Sequence, residues 1–242
     1  MKKQIFLAAI AALVTPSVSQ TQGVMVIRMN DDAVYELRLE DINQVAFSLN
    51  EENVVAPPAY VRCPDGNHPH LIDLGLPSGT KWACCNVGAS LPEQYGNYYA
   101  WGETETKDSY NDDTYSYYGN NLGEDIAGTQ YDVAHVKWGS SWRIPTYTQI
   151  LELVTLCTRS KSYLNGRAGT LVTGPNGSTI FLPFSGLRMG NTTRYKAERG
   201  CYWSSTPKDA IYAHYLSIRP ADWNRYYFIQ RSEGLSVRPV SR

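Results

Sequence analysis

Two apolar runs near the start of the chain predict a β-hairpin. Residues 24–29 (VMVIRM) are almost entirely apolar, and residues 34–39 (VYELRL) alternate apolar with polar side chains. Residues 30–32 (NDD), between the two runs, are types that favour tight turns. A third apolar run follows over residues 39–47. Because an isolated hairpin is marginally stable in water, we expect this small module to pack on something.

The chain divides into four predicted segments. Residues 1–19 combine a basic start with an apolar run, residues 5–14, that is too short to span a bilayer, so they are predicted to be a secretory signal peptide. Residues 20–49 form the small N-terminal β module, and residues 50–62, which contain a Pro-Pro pair, form the linker. Residues 63–242 form the main domain. The protein is therefore expected to be exported to the periplasm, the cell surface or the medium.

The first half of the main domain has few periodic patterns. Residues 71–76 and 80–87 are predicted strands on either side of a Pro-Ser-Gly turn. Residues 93–130 are rich in Tyr, Asn, Gly and Asp and have no sustained periodicity. We expect this stretch to form a long, ordered layer of loops.

One helix is clearly predicted in the second half. Thr146 is a good N-cap, and Gln149, three residues later, completes a capping box. Four apolar residues then fall on one face of the helix, namely Ile150, Leu153, Val154 and Cys157.

A second β-hairpin follows the helix. Residues 170–173 and 178–182 are strand-like and flank residues 174–177 (GPNG), the strongest hairpin signal in the chain. Short strands, one or two helices and long loops together predict an α+β fold.

The last forty residues contain a dense aromatic segment between two regular ones. Residues 200–206 (GCYWSST) and 234–240 (GLSVRPV) bracket residues 207–233, which are rich in Tyr and Ile and contain His, Asn, Asp and Trp. Aromatic side chains give a large contact area for little lost rotamer entropy, which favours a binding surface. The candidate ligand-binding residues are Tyr212, Tyr215, Asp222, Trp223, Asn224, Tyr226, Tyr227 and Phe228.

Strand parity divides this segment into two faces. Leu216 and Ile218 share one face with His214, so His214 is predicted to point inward and to be a weaker contact candidate. Tyr215 and Ser217 take the other face. We therefore expect Tyr215 to face a partner.

The closing segment, residues 234–240, follows the same alternation. Leu235 and Val237 are predicted to point inward, and Ser236 and Arg238 outward. Arg238 is expected to anchor loop carbonyls or carboxylates rather than a ligand.

Charge limits the range of partners. The chain has 22 basic and 23 acidic residues, so no strongly basic face for nucleic acid is indicated. Tyrosine, with 18 residues, is the compositional outlier and is typical of surfaces that bind other molecules. No stretch after the predicted signal peptide is long and apolar enough to be a membrane helix.

The cysteines leave their pairing open. Five cysteines follow the predicted signal peptide, and an odd number leaves at least one thiol unpaired even in an oxidising compartment. Cys84 and Cys85 point to opposite faces of a strand, so a bond between them is not expected. One of them could pair with Cys63, Cys157 or Cys201, or most of the five could be small buried apolar residues.

No cofactor, metal or catalytic centre is predicted. Residues 67–70 (NHPH) contain two histidines, but they are better interpreted as a turn than as a metal site. Residues 108–113 (DSYNDD) contain oxygen ligands suited to calcium, but they are better interpreted as a solvated acidic loop. The chain contains no zinc-type Cys pair, P-loop, HExxH or GxSxG motif.

Six blocks of sequence, in order, resemble the Fibrobacter-type major paralogous domain found in secreted proteins of Bacteroidetes. The resemblance covers nearly the whole chain after the linker, and the N-terminal hairpin is similar to a module that precedes this domain. The blocks are residues 72–83 (IDLGLPSGTKWA), 86–89 (NVGA), 99–104 (YAWGET), 138–146 (WGSSWRIPT), 202–206 (YWSST) and 234–240 (GLSVRPV).

This resemblance implies a C-type lectin-like fold of the formylglycine-generating-enzyme type. It also implies a secreted binding or adhesin-like protein whose C-terminal surface takes a protein or glycan ligand, with similarity to variable proteins of diversity-generating retroelements. A structural or accessory subunit of a cell-surface appendage is the alternative. Enzymatic formylglycine generation is a minor alternative, because Cys201 has no second cysteine near it in the sequence.

The tryptophans of the six blocks are expected in the core, namely Trp82, Trp101, Trp138, Trp142 and Trp203. Trp223, which lies outside the blocks, is a contact candidate.

Overall fold

A computed structural model describes residues 24–28, 34–38, 71–220 and 223–241. The chain splits into two compact units, residues 1–55 and 56–242, each described by itself below. The predicted signal peptide, the third apolar run and the linker lie outside the described residues, as do Cys63 and the two histidines of residues 67–70.

The first unit contains the predicted hairpin. Strand β1 (Val24–Arg28) pairs antiparallel with strand β2 (Val34–Arg38), and Val26 lies opposite Glu36 in the register. The sequence pattern is thereby confirmed for these ten positions.

The second unit is built from short antiparallel sheets and two α-helices, which confirms the predicted α+β class. Its helices are α1 (Val133–Trp138) and α2 (Tyr147–Leu156), with a 3₁₀ turn at Asp112–Thr114. Its strands are β3 (Leu71–Asp73), β4 (Lys81–Ala83), β5 (Thr158–Leu164), β6 (Arg167–Thr173), β7 (Thr179–Pro183), β8 (Leu187–Met189), β9 (Thr192–Arg194), β10 (Gly200–Pro207), β11 (Tyr212–Ile218), β12 (Trp223–Gln230) and β13 (Val240–Ser241).

The described strands of the second unit form four sheets. Three sheets have three strands, in the orders β13-β4-β3, β5-β6-β7 and β10-β11-β12, and β8 and β9 form a two-stranded ribbon. Between β4 and α1, residues 84–132 are loops, turns and the 3₁₀ turn, as predicted for residues 93–130.

Helix α2 starts where the sequence predicts. The Thr146 side chain accepts a hydrogen bond from the Gln149 backbone N–H, and the Gln149 side chain accepts one from the Thr146 N–H, which completes the capping box. Ile150, Leu153 and Val154 are buried against the sheets. The capping box and the apolar face are both confirmed.

The sheet β5-β6-β7 contains a hairpin that the sequence analysis missed. The predicted turn at residues 174–177 joins β6 to β7, with a hydrogen bond from the Gly174 N–H to the Ser178 carbonyl at 2.9 Å. A second turn, Asn165-Gly166, joins β5 to β6, and both its residues have positive φ (48° and 74°). An Asn-Gly pair favours a two-residue hairpin turn, but β5 is mostly polar, so its sequence pattern does not predict a strand.

The predicted strands at 71–76 and 80–87 are shorter than expected. β3 ends at Asp73, because Gly75 takes a positive φ and donates its N–H to the Asp73 carboxylate instead of to a neighbouring strand. β4 ends at Ala83, because the carbonyls of Ala83 and Cys84 accept hydrogen bonds from the Arg238 guanidinium instead of from a neighbouring strand.

Two large apolar clusters form the core on opposite faces of the sheet β10-β11-β12. One lies on the α2 side and contains Tyr202, Leu216 and Ile218, and the other contains Trp203, Ala213 and Tyr215. Of the framework tryptophans, Trp138 is partly buried, and the others are buried as predicted, namely Trp82, Trp101, Trp142 and Trp203.

Candidate functional site

The candidate site lies at the edge of the sheet β10-β11-β12. β11 is the central strand, and β12 has β11 as its one strand neighbour among the described residues. Within the pairing of these strands, His214 lies opposite Phe228, and Tyr215 lies opposite Tyr227. Directly paired residues share a face, so these two pairs lie on opposite faces of the sheet.

A buried frame fixes β10. The Trp203 indole N–H donates to the Tyr99 carbonyl at 2.7 Å, and the Trp101 indole N–H donates to the Ser204 carbonyl at 2.8 Å. Both indoles are fully buried, so each bond satisfies a polar group that would otherwise be costly to bury. The sheet is therefore a rigid support for its edge.

Arg231 fixes the end of β12. Its guanidinium lies over the Trp101 ring, 4.2 Å from the ring centroid, and donates to the Asn120 carbonyl at 3.0 Å. Its backbone N–H donates to the Ile211 carbonyl, and its own carbonyl accepts from the Trp101 N–H. Burial lowers the pKa of Arg231, and Tyr115 and Asp209 oppose that shift. This buried cation ties the edge strand to the loop layer.

The segment after β12 is buried on both sides. Leu235 and Val237 are buried as predicted, but Ser236 and Arg238 are buried as well, so their predicted outward orientation is wrong. The reason is that this segment runs between two strands, with hydrogen bonds from the Trp203 N–H to Ser236 and from the Ala83 N–H to Pro239. Alternation in one strand cannot reveal a second covering layer.

The anchoring role predicted for Arg238 is confirmed. Its guanidinium donates to Ala83, Cys84 and Phe181 carbonyls at 3.0, 2.7 and 2.9 Å, and to the Asn86 Oδ1 atom at 2.8 Å. The side chain is 1% exposed. One residue thus joins the closing segment to the loop after β4 and to β7.

An aromatic cluster lies on the α2 side of the edge. The Phe228 side chain is 44% exposed, and its ring meets the Tyr212 ring edge-on at a centroid distance of 5.6 Å. The Lys208 Nζ atom lies 4.1 Å from the Phe228 ring centroid. Opposite Phe228, the His214 ring packs on the Tyr147 ring at 4.5 Å. We call these five residues, Tyr147, Lys208, Tyr212, His214 and Phe228, the aromatic patch.

His214 contributes a neutral ring to the aromatic patch. Burial lowers its pKa, and the charge of Lys208 lowers it further, so the imidazole is uncharged at neutral pH. A backbone hydrogen bond with Tyr227 opposes this shift. The inward position predicted for His214 is only half right, since the side chain is half-buried at the rim of the core.

The opposite face of the sheet edge carries Tyr227. Tyr227 is 38% exposed, and its ring lies 6.1 Å from the Tyr215 ring. Tyr215 is buried, so its predicted outward, partner-facing position is wrong. The second core cluster covers that face, and burial raises the pKa of Tyr215 to about 12.

The structure brings together only part of the predicted contact set. Tyr212 and Phe228 meet in the aromatic patch, and Tyr227 lies on the other face. The backbones of Trp223 and Asn224 pair with Ile218 and Ser217. The structure does not describe the side chains of Trp223, Asn224 and Tyr226, so the contact roles predicted for them remain predictions. Asp222 lies wholly outside the described residues.

Two patch residues had no signal strong enough to predict them. Tyr147 is the first residue of α2, 65 or more positions before the rest of the patch on β11 and β12, and it joins the patch only through the packing of α2 on the sheet. Lys208 lies within the bracketed segment, but its position over Phe228 depends on the turn between β10 and β11.

The acidic segment at residues 108–113 is hydrogen-bonded to the end of β12 and to the residues that follow it. The Asp112 carboxylate accepts a hydrogen bond at 3.4 Å from the side-chain amide of Gln230, the last residue of β12. It accepts a second one at 2.5 Å from the hydroxyl of Ser232, two residues later. Among the described residues, no group of three or more His, Cys, Asp or Glu side chains could hold a metal ion.

Comparisons with protein-family models, curated proteins and solved structures gave no match for this chain. Within the part of the chain that the structure describes, no helix has the length and apolar character needed to cross a membrane. The protein is an α+β domain in which the edge strand of one sheet exposes aromatic side chains.

Proposed function

We propose that the protein is an exported, non-enzymatic binding protein that takes a protein or glycan ligand on the aromatic patch. The supporting observation is Phe228, a large apolar side chain left 44% exposed on a strand that is otherwise held by a fully buried frame. Clusters of exposed aromatic residues on rigid supports are typical of binding hot spots. The proposal includes export, which rests on the signal-like residues 1–19.

The proposed family is the Fibrobacter-type major paralogous domain, with a C-type lectin-like fold. Its support is the order of the six sequence blocks, several of which supply the frame described above: Trp101, Trp203 and Arg238 each lie in one of them. In this proposal the frame is constant, and residues 207–233 carry the recognition surface, with or without diversification by a retroelement.

A structural or accessory subunit of a surface appendage is the second candidate. The observation in its favour is that β12 lies at the edge of its sheet among the described strands. An open edge can accept a strand from another subunit through backbone hydrogen bonds. In that case the partner would be a stoichiometric component of the same envelope.

The formylglycine-type alternative has less support. Cys201 is fully buried, and burial raises its pKa to about 12. A nucleophilic cysteine needs an accessible thiolate, which this environment disfavours.

Binding to glycan and protein arrays tests the proposal. We expect a ligand to be retained by the natural protein and lost by Phe228→Ala. Leu71→Ala is the matched control, because Leu71 is an apolar side chain of similar exposure (46%) on β3, in another sheet. Equal binding by all three proteins, or capture of a stoichiometric envelope subunit through β12 in place of an array ligand, would contradict the proposal.

A further inference from the structure

Basic residues are concentrated in one part of a chain that is balanced overall. Residues 158–200 contain seven basic residues and one acidic residue, whereas the rest of the chain contains fifteen basic and twenty-two acidic residues. The two parts therefore have opposite net charge. Segregation of this kind creates a local positive potential that a near-zero total charge conceals.

The fold brings two of these cations to one ring. The Arg167 guanidinium, at the start of β6, lies 4.7 Å from the centroid of the Tyr95 ring. The Lys196 ammonium, from the turn after β9, lies 5.4 Å from the same centroid. The two charges are therefore no more than about 10 Å apart, within one Debye length at 0.1 M salt.

Tyr95 is a fixed support for these cations. Its carbonyl accepts hydrogen bonds from the Asn86 side-chain amide at 2.9 Å and from the Ser236 hydroxyl at 3.3 Å. Asn86 also accepts the hydrogen bond from Arg238, so the Tyr95 backbone is joined to the same buried frame as the C-terminal sheet. The two cations therefore share one ring whose backbone is anchored to the buried frame.

A second ring and cation lie on the same turn as Lys196. Tyr195 is exposed, and the Arg199 guanidinium lies 4.4 Å from its ring centroid. Tyr195 has a positive φ of 58°, a backbone conformation that residues other than glycine rarely adopt. The turn is held by hydrogen bonds from the Arg199 and Ala197 N–H groups to the Tyr195 and Phe184 carbonyls.

Among the described residues, no carboxylate forms an ion pair with these cations. Within the described part of the chain, the ion pairs are Glu103 with Lys107 and Glu105 with Lys137, both in other regions. Two acidic residues are close to these residues in sequence: Glu198, which is exposed, and Glu93, which is buried and accepts a hydrogen bond from Asn165. We call the set of Tyr95, Arg167, Tyr195, Lys196 and Arg199 the basic surface.

We infer that the basic surface binds a polyanionic polysaccharide that carries sulfate or uronate groups. Arg and Lys side chains pair with the anionic groups, and Arg167 and Arg199 present flat, multidentate donors to them. The exposed Tyr195 ring offers its negatively polarised face to the C–H groups of a sugar ring. A polysaccharide fits the expected export of the chain better than a nucleic acid does, and this site is distinct from the aromatic patch.

Retention on immobilised heparin and on a uronate polymer, with neutral dextran as reference, tests the inference. We expect binding to the charged polymers that weakens with salt, and a loss of at least tenfold in affinity for the double variant Arg167→Gln/Lys196→Gln. The charge-matched control is Lys81→Gln/Lys137→Gln, which removes two cations elsewhere. The single variant Tyr195→Asn removes the ring but keeps a residue type that tolerates positive φ, and we expect it to weaken binding severalfold.

The outcomes separate the possible sources of binding. Binding to heparin but not to the uronate polymer, or the reverse, identifies the anionic group and supports the inference. No retention above dextran at low salt overturns it, as does equal loss in the control double variant. Equal retention on double-stranded DNA, with Tyr195→Asn unaffected, shows that charge alone acts and also overturns it. Phe228→Ala should not change this retention, so failure of the basic surface is distinguishable from failure of the aromatic patch.

Discussion

Tyr227 and Phe228 are neighbours on β12, yet their rings lie on opposite faces of the sheet. Phe228 pairs across the strands with His214 on the α2 side, whereas Tyr227 pairs with Tyr215, which the second core cluster buries. A ligand on the aromatic patch therefore contacts Phe228 without contacting Tyr227. Because Tyr227 and Phe228 are similar in size and exposure, substitution of each in turn tests which face of the sheet binds the ligand.

Replacement of Arg238 should destabilise the fold strongly. Arg238→Lys keeps the charge but cannot reproduce the four hydrogen bonds to Ala83, Cys84, Asn86 and Phe181. Because buried acceptors and a buried charge would be left without partners, we expect a loss of about 3 kcal/mol or more in the free energy of unfolding. Urea unfolding followed by tryptophan fluorescence measures the change.

Arg167→Lys is the control for that experiment. Arg167 is exposed, so the same substitution there should change the free energy of unfolding by less than about 0.5 kcal/mol. A small effect at Arg238, comparable with that at Arg167, would mean that the closing segment is not held by this guanidinium.

Glu233 should make the stability depend on pH near neutrality. Burial, followed by the neighbouring Asp112 carboxylate, raises the pKa of Glu233 from 4.5 to about 7, and Arg194 opposes the shift. Its side chain is 5% exposed, and its buried Oε2 atom has no hydrogen-bond partner among the described residues. The native state therefore holds a proton that the unfolded chain releases at lower pH. The contribution of Glu233 to the free energy of unfolding is therefore greatest below about pH 4.5. It decreases as the pH rises to about 7, by up to roughly 3 kcal/mol.

Glu233→Gln should remove this dependence and raise the stability at pH 8. Unfolding free energies measured between pH 5 and pH 8 check the slope, and Glu198→Gln, at an exposed position, is the control that should keep it. An unchanged slope in the Glu233 variant would show that Glu233 is charged at neutral pH in the native state.

Asp132 should be essential for α1. Its carboxylate accepts hydrogen bonds from the N–H groups of Gly128, Ala134, His135 and Ile144, at 2.8 to 3.2 Å. Asp132→Ala leaves these donors without partners, three of them in the helix start and the preceding turn, and we expect a loss of about 2–4 kcal/mol in the free energy of unfolding.

Asp125→Ala is the matched control for Asp132. The exposed Asp125 carboxylate accepts one backbone hydrogen bond, from Ala127 at 2.9 Å, so its loss should cost less than about 1 kcal/mol. If the two alanine variants unfold at the same denaturant concentration, Asp132 does not hold α1 in the way described.

Local signals made some elements predictable and others not. The capping box of Thr146 and Gln149 and the turn at residues 174–177 are short-range patterns, so α2 and the β6–β7 hairpin were predicted correctly. α1 has only six residues, and its cap also binds Ile144, twelve residues away, so its stability depends on tertiary contacts. β5 is polar and half-exposed, and only Asn165-Gly166 marked it.

The candidate site was predictable in composition but not in arrangement. The aromatic density of residues 207–233 indicated a surface, and strand parity correctly separated Tyr215 from Leu216. Parity cannot show that a second core layer covers the Tyr215 face, because the residues of that layer come from distant segments. For the same reason, the contribution of Tyr147 to the aromatic patch could not be predicted.

Binding by the two variants Phe228→Ala and Tyr227→Ala, measured with one retained ligand, tests the central claim most directly. Both side chains are partly exposed on the same strand, so both substitutions should leave the free energy of unfolding within about 1 kcal/mol of the natural value. We expect Phe228→Ala to weaken binding by at least tenfold and Tyr227→Ala to weaken it less than threefold, as for a hot-spot residue and a residue outside the contact. The reverse order, or equal losses in the two variants, would contradict recognition by the aromatic patch.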